Sequence, residues 1–449
     1  MANTPHKVML VSLGCDKNLV DSEMMLGMLS EEGFAITNDE QEAEVVIVNT
    51  CCFIMDAKEE SINTLIEYGK LKETANCKAL IATGCLAQRY AEEIHKEIPE
   101  VDAVVGTSAF DKIAEVLRSA LGGEQKDAME DLQHTVAGKP RILSTGGHYA
   151  YLKIAEGCNK RCTYCIIPSI RGAYRSVPMD TLLAEARKLA DGGVRELLLV
   201  AQETTLYGTD LYGEKRLPQL LRELAKIEDL KWIRILYCYP EEITEELIET
   251  IATEPKVCHY LDLPIQHSED AVLKRMGRRT RRAELEETIA KLRKRIPDIC
   301  LRTTLICGFP GETEEDYENL KSFVEKMRFD RLGVFPYSPE EGTAAEQMED
   351  QIEDAVKKNR AEGIMALQQE IAFDKAQAME GRVLNCIVEG RIPEENVLVC
   401  RSYMDAPDVD GYVFVDTEKE YMSGTIVQIK VTGSEEYDLI GEFTDESAQ

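Results

Sequence analysis

No apolar run in this chain of 449 residues reaches the roughly 18 residues that a membrane-spanning helix needs. Met1 to Met9 holds a single Lys and no signal-peptide core, so the expected compartment is the cytoplasm and no membrane contact is expected. Self-similarity at a solenoid period is missing too, which excludes a repeat array. Positive charge is scarce: 52 Lys and Arg stand against 82 Asp and Glu, a formal balance of -30. Such a chain suits a polyanionic partner such as RNA poorly unless a local basic patch overrides the total; it suits a basic protein partner or no macromolecular partner. What is present is an ordinary globular composition, 44% hydrophobic and 30% charged, in a chain long enough for about three domains. Fourteen cysteines accompany it. A cytoplasmic compartment argues against a disulfide framework, leaving metal ligation, catalysis or burial.

Apolar strand patterns alternate with amphipathic helical ones. Strands are expected at Lys7–Leu13, Val45–Asn49, Ala79–Thr83 and Val101–Val105. Helices are expected at Val20–Glu32, Asp56–Lys72, Ala87–Ile98 and Phe110–Leu121. This rhythm predicts a parallel α/β sheet. A polar, glycine-rich stretch, Gly122–Gly147, reads as a linker. From Ala150 a second alternation offers six strand–helix units in about 190 residues, too few for a full eight-unit barrel. A long helix over Met348–Met379 then leads into five short strands between Arg382 and Phe443, the pattern of a small all-β barrel.

Cys158, Cys162 and Cys165, spaced by four and three residues, are able to curl around one face of a cubane cluster. A four-iron cluster normally takes four cysteines, so three leave one iron open to an external ligand. The alternative is zinc, but a structural zinc site takes four protein ligands and no fourth Cys or His lies close in sequence. The loop follows the first strand of the second alternation, at the carboxyl end where barrel sites form. Cys15, Cys51 and Cys85 each stand just past a predicted parallel strand, where ligands of open α/β sheets bind. Cysteines packed only for burial belong within such runs; Cys52, which points away from Cys51, Cys77, which precedes its strand, and Cys238, Cys258, Cys300, Cys307, Cys386 and Cys400, in or beside strand runs, are expected to be core or incidental and not ligands. Other strand ends carry Gln202-Glu203, Tyr239-Pro240, Gln266-His267, Gly308 and Tyr337, residues suited to line a mouth. For His267, a satisfied pocket residue is preferred over a catalyst.

Cys158, Cys162 and Cys165, with Tyr164 before the last, match the signature of the radical S-adenosylmethionine superfamily. Ser12-Leu13-Gly14-Cys15, Val48-Asn49-Thr50-Cys51, Thr83-Gly84-Cys85, Glu156-Gly157-Cys158, Asp262 to His267 and Thr304 to Glu312 narrow this further. Over nearly its whole length the chain resembles the methylthiotransferases of that superfamily, with a C-terminal barrel that looks like a TRAM domain. The resemblance implies an α/β chain in three parts: a parallel-sheet N-terminal domain, a partial (β/α)6 radical S-adenosylmethionine barrel and a small antiparallel β-barrel. The expected division is 1–122, a linker over 123–147, a core over 148–376 and a TRAM domain over 377–445.

The resemblance also implies two 4Fe-4S clusters, one on Cys15, Cys51 and Cys85 and one on Cys158, Cys162 and Cys165, the latter binding S-adenosylmethionine. Gln202, Gln266 and Gly308 would lie near that cofactor. Two substrate classes compete within the family, tRNA adenosines and the ribosomal protein uS12. The run from Ser12 to Glu23 resembles the uS12 form, where tRNA enzymes usually carry Gln-Met-Asn after the first Cys. The C-terminal domain agrees: from Ala378 onward it holds 16 acidic and five basic residues, repelling phosphates and attracting a basic ribosomal protein. The expected reaction converts C–H to C–SCH3 at an aspartate β-carbon of uS12, with an electron donor and a sulfur donor as further partners. The rivals are a tRNA methylthiotransferase, an iron–sulfur electron carrier and a zinc-stabilised scaffold. Three positions depart from the family's usual residues: Cys52 for Gly, Glu203 for Asp, and Arg175-Ser176-Val177-Pro178, which lacks a second Arg.

Overall fold

The computed structural model describes residues 5–444. Its N-terminal part is built from valine- and isoleucine-rich runs that β-branching favours as strands. These are β1 (Lys7–Ser12), β2 (Ala35–Ile36), β3 (Val45–Thr50), β4 (Ala79–Thr83) and β5 (Ala103–Val105). They form one parallel sheet in the order β2-β1-β3-β4-β5. Every residue of β3, β4 and β5 is buried, as helices on both faces require.

Several helices differ from the expected bounds: Asp56–Lys72 is Met55–Gly69 followed by a separate turn over Leu71–Thr74, and Met348–Met379 is shortened to Asp354–Gln377. The first helix begins at Asp16, not Val20, because Lys17, Asn18, Asp21, Ser22 and Glu23 are buried against the rest of the molecule and not solvated. An apolar stripe cannot reveal a helix whose buried face is polar. The expected helix Ala87–Ile98 is two, Gly84–Arg89 and Ala91–Glu97, parted at Tyr90. Gly84 makes the early start possible. It sits at φ +88°, and a Cβ there would lie 2.8 Å from the Thr50 nitrogen.

The 123–147 stretch is not a free tether. The Ile142 N–H donates to the Glu23 carbonyl at 3.1 Å. Arg141 is buried between the carboxylates of Glu23 and Glu185, the latter at 2.6 Å.

The central part adds β6 (Tyr149–Lys153), β7 (Ala155–Glu156), β8 (Arg175–Ser176), β9 (Glu196–Val200), β10 (Trp232–Ile235), β11 (Val257–Asp262), β12 (Cys300–Cys307) and β13 (Arg331–Pro336). Six of these form an open parallel sheet, β13-β12-β11-β10-β9-β6, while β7 and β8 make a short antiparallel ribbon. Side chains alternate across the sheet. Leu197, Leu199, Ile233, Ile235 and Leu301 pack on the outer helices. Leu198, Val200, Trp232, Tyr260 and Cys300 face the concave side, in the same core as Val20 and Met24 of the N-terminal domain and Ala406 near the C-terminus.

The helix Asp354–Gln377 leads to a closed five-stranded barrel of β14 (Val383–Ile392), β15 (Val397–Ser402), β16 (Val413–Asp416), β17 (Ile426–Glu435) and β18 (Asp438–Phe443). Its pairings are antiparallel except β16 with β18. The loop after β15 reaches into the concave side of the central sheet. Asp408 accepts from the Tyr149 hydroxyl at 2.7 Å and Asp410 from Tyr260 at 2.8 Å. Glu196 accepts from Arg234 at 2.8 Å and from Arg401 at 2.5 Å, all three side chains fully buried. Removing one charge from such a triad strands the others in low dielectric. Glu196→Gln is therefore expected to lower stability by about 3–5 kcal/mol, read as a shift in urea midpoint. A change within about 0.5 kcal/mol, the range of a neutral surface substitution, would mean water reaches the site.

Candidate functional site

β1, β3 and β4 are neighbours, so their carboxyl ends form one ledge. Cys15 caps the helix Asp16–Glu31, Cys51 follows β3 directly, and Cys85 lies in the first turn of the helix after β4. Gly14, at φ +86°, brings the first loop so near the second that a Cβ on it would stand 2.7 Å from the Cys51 sulfur. Asn18 and Asn49 stitch the ledge together. The Asn18 amide donates to the carbonyls of Leu13 and Thr50 at 3.0 and 3.1 Å, and Asn49 donates to the Asn18 carbonyl and the Ser22 hydroxyl at 2.8 Å each. The Cys85 sulfur lies 3.9 Å from Asn18 Oδ1 and accepts from Arg171 Nη2 at 3.4 Å. Burial pushes the Cys51 thiol up to about 11, reinforced by the neighbouring Cys85 and Cys15, and it raises Cys85 as well. Without a metal these buried thiols are poor nucleophiles near neutral pH; a bound metal is what would hold them as thiolates.

The other thiol group sits in the loop after β7. Gly157 at φ +79° and Arg161 at φ +54° give it a tight curl. The Cys158 N–H donates to the Gly172 carbonyl at 3.1 Å, and Thr163 pairs with Met276 and Ala345 through its backbone, so the loop is held on both flanks. The Lys160 N–H points at the Cys158 sulfur at 3.5 Å, and the Tyr239 hydroxyl lies 3.7 Å from that of Cys162. Cys158 and Cys162 are buried. Burial moves the Cys158 thiol up to about 11 and the Cys165 thiol to about 12, each raised further by Cys162.

The remaining eight cysteines are all buried in apolar cores: Cys52 and Cys77 with Leu65 and Leu80, Cys238 and Cys307 under the outer helices, Cys258 and Cys300 on the concave side, and Cys386 and Cys400 inside the C-terminal barrel.

The strand-end residues divide into committed and free groups. Gln202 donates to Glu156 at 2.6 Å, which fixes its amide orientation and leaves its buried Oε1 without a partner. Gln266 holds φ +70°. Gly308 donates its N–H to Glu312 at 2.9 Å, and its missing side chain makes room for Lys357, whose Cα a Cβ there would meet at 3.0 Å. His267 accepts at Nδ1 from the Glu269 N–H at 3.0 Å, which places its proton on Nε2, 3.4 Å from the Glu312 carboxylate. Its buried Nε2 makes no hydrogen bond, so the ring is satisfied on one side only, short of the expected satisfied pocket residue. Tyr237, at φ +59°, joins Arg161 and Gln266 as side-chain-bearing residues in the left-handed region, a strain that gathers at functional sites.

Glu203 is fully buried, and burial raises its carboxyl to about 7 despite donation from Thr205 and the Lys160 ammonium 4.0 Å away. A carboxyl with a raised folded-state value binds its proton more tightly in the folded chain. Stability from this group is therefore complete below about pH 4.5 and lost as pH rises to about 7. In the apoprotein, Glu203→Gln is expected to gain about 2–3 kcal/mol relative to the parent across that window and to hold the gain above it. Urea midpoints of both chains between pH 4.5 and 8 measure this; a pH-independent difference would contradict it.

Sequence reasoning missed the polar cluster that joins the two thiol groups. Lys153 pairs with Asp21 and with Glu156 at 2.8 Å, while Arg171 pairs with Asp21 at 2.8 Å and Glu156 at 3.2 Å. The only signal was a Lys inside the otherwise apolar β6.

Among the described residues no three His, Cys, Asp or Glu side chains converge closely enough to hold a single ion. The donor set at each site is nevertheless three soft thiols on fixed loops, which suits an iron–sulfur cluster spanning a wider gap. Residues 7–106 match the uncharacterized protein family UPF0004, residues 152–324 the radical SAM superfamily, and residues 381–444 the TRAM domain. The ribosomal protein uS12 methylthiotransferase RimO of Lachnoclostridium phytofermentans is 59% identical over 97% of this chain and 99% of its own length. That of Geobacter sulfurreducens is 50% identical over 98% and 99%. Among solved structures, the radical S-adenosylmethionine methyltransferase TsrM from Kitasatospora setae superposes with a TM-score of 0.55 at 15% identity, covering 75% of this chain and 77% of that one. The cobalamin-dependent S-adenosylmethionine radical enzyme OxsB gives 0.53 at 13%, over 80% and 56%. These two share the fold. The near-complete match in sequence places the chain in the family of ribosomal protein uS12 methylthiotransferases, to which it belongs.

Proposed function

We propose that this protein transfers a methylthio group to an aspartate β-carbon of ribosomal protein uS12, with Cys158, Cys162 and Cys165 holding the cluster that meets S-adenosylmethionine and Cys15, Cys51 and Cys85 holding the second. The family is one of radical S-adenosylmethionine enzymes with two 4Fe-4S clusters. Bound at these sites, the clusters and S-adenosylmethionine supply the reducing electron, a hydrogen-abstracting radical and the methylthio group. An unactivated carbon needs a radical, since no general base removes such a proton near neutral pH.

The protein's residues orient and exclude water. Gln202 presents its unpartnered Oε1 as an acceptor for a donor group of the cofactor. Gly308 and Gln266, both at positive φ, turn the chain at neighbouring strand ends and would lie near the cofactor. Tyr164, Tyr239 and Phe309 wall the loop, Tyr164 standing edge-on to Phe309 at 6.3 Å. The observation that supports the reading is Arg171, which joins the Cys85 sulfur of one thiol group to Glu156, two residues before Cys158 of the other. We keep the division at 1–122, 148–376 and 377–445, the cytoplasm as compartment, and a reductant and a sulfur donor as further partners.

The test offers anaerobically reconstituted protein both uS12 and bulk tRNA, with S-adenosylmethionine, sulfide and reductant, and reads products by mass spectrometry. A methylthio increment on a uS12 aspartate supports the proposal. An increment on tRNA overturns the substrate and leaves the chemistry.

A further inference from the structure

We infer that Arg171 is a positioning residue that locks the two cluster sites to one another and, through its N–H on the Cys85 sulfur, sets the reduction potential of the N-terminal cluster. The inference rests on the cluster assignment above. It does not follow from that assignment, which says nothing of what surrounds the sulfurs.

Arg171 lies in the short helix Ile167–Arg171, six residues after Cys165, and is 2% exposed. Its guanidinium is used on both sides of the domain junction. Nη1 meets Asp21 at 2.8 Å and Glu156 at 3.2 Å; Nη2 meets Asn18 and the Cys85 sulfur, the latter at 3.4 Å. Each partner is close in sequence to a thiol: Asn18 is three residues after Cys15, and Glu156 two before Cys158. Lys153 completes the group from β6, pairing with both carboxylates. Two acids and two bases cancel, so the quartet has a reason to be buried. The Cys85 contact lies outside that balance: the carboxylates do not need it, and it aims a fixed cation at one sulfur.

A planar, permanently charged fork is suited to this work, because it holds two carboxylate contacts and a sulfur contact at set angles. A lysine keeps the charge but not the fork. A cation and an N–H donor on a cluster sulfur favour the more negative, reduced cluster and so raise its potential. The barrel thiols have cations near them, Lys160 by Cys158 and the buried Arg278 by Cys162, but none in hydrogen-bond contact among the described contacts; there Cys158 is approached by the backbone N–H of Lys160 and Cys162 by a tyrosine hydroxyl. The direct hydrogen bond from a charged side chain to a thiol sulfur thus belongs, among the described contacts, to the N-terminal site.

The experiment is a potentiometric titration of the reconstituted full-length protein followed by electron paramagnetic resonance, with S-adenosylmethionine added to mark the barrel cluster. It compares the parent with Arg171→Met, Arg171→Lys and Asp21→Asn. Arg171→Met is expected to disfavour reduction of the N-terminal cluster about tenfold, a one-electron shift of roughly 59 mV, with Arg171→Lys in between and the barrel cluster unmoved. Asp21→Asn loosens the junction without touching sulfur and is expected to leave the potential in place. S-adenosylmethionine cleavage should continue in Arg171→Lys while methylthio transfer falls. An unchanged midpoint in Arg171→Lys and Arg171→Met overturns the tuning role. An equal shift in Asp21→Asn overturns it too, making the effect one of packing. If Arg171→Met does not fold, Arg171→Lys against Asp21→Asn decides alone. A parent that holds about four irons per chain with no second signal overturns the cluster assignment itself, a result distinct from any of these.

Discussion

Alanine at Cys158, Cys162 and Cys165 together is expected to abolish S-adenosylmethionine cleavage, with a loss of at least about 10⁴-fold given the accelerations enzymes typically reach. The reason is that the cofactors carry the difficult chemistry and no side chain in the chamber can substitute for the electron they supply. Iron content should fall by about four per chain, and the fold should survive. The loop is held by backbone hydrogen bonds from Cys158 to Gly172 and from Thr163 to Met276, not by the sulfurs. Circular dichroism, iron analysis and chromatography for 5′-deoxyadenosine together test this. Cleavage above about 1% of the parent in a protein lacking those irons would remove the loop from the reaction.

The second large effect separates the two sites. Cys51→Ala or Cys85→Ala should abolish methylthio transfer to uS12 while 5′-deoxyadenosine formation stays within about threefold of the parent. Cys51 and Cys85 belong to the ledge of β1, β3 and β4, and the barrel loop is built without them. The substitutions are small in volume and leave the amide donations of Asn18 and Asn49 to the backbone in place, so the ledge should persist. Mass spectrometry of uS12 alongside nucleoside quantification gives both rates from one reaction. If cleavage falls as far as transfer, the N-terminal thiols support the barrel site and have no separate task.

Cys15, Cys51 and Cys85 were legible because each stands just past a strand that follows from a plain β-branched run such as Val45 to Val48, and Cys158, Cys162 and Cys165 because of their spacing. Lys17, Asp21 and Glu23 were not. On a helix read by its apolar stripe they look like solvated residues, yet Asp21 and Glu23 are buried against Lys153, Arg171 and Arg141, and Lys17 against the Tyr237 ring. Such pairing joins residues more than a hundred positions apart, and no local pattern encodes it. The acidity of the C-terminal part was read whole as a surface for a basic partner. The structure divides it. Asp405, Asp408 and Asp410 are engaged with Arg331, Tyr149 and Tyr260, while Glu394, Glu395, Glu418, Glu420, Glu435 and Glu436 face outward. Among the described residues the outward-facing acids, which also include Glu380 and Asp416, are the ones available to a basic partner.

The loop that carries those three aspartates into the concave side of the central sheet has a consequence for how such chains diverge. Arg401 and the aspartates are half of a set whose other half, Glu196, Arg234, Tyr149, Tyr260 and Arg331, lies on the barrel. The C-terminal domain therefore cannot be exchanged as a cassette. A graft from a distant relative would leave Glu196 and Arg234 without their counterpart, and a truncation would open the barrel's interior to water. Inheritance of this domain is tied to inheritance of the sheet it plugs, and the two must change in step.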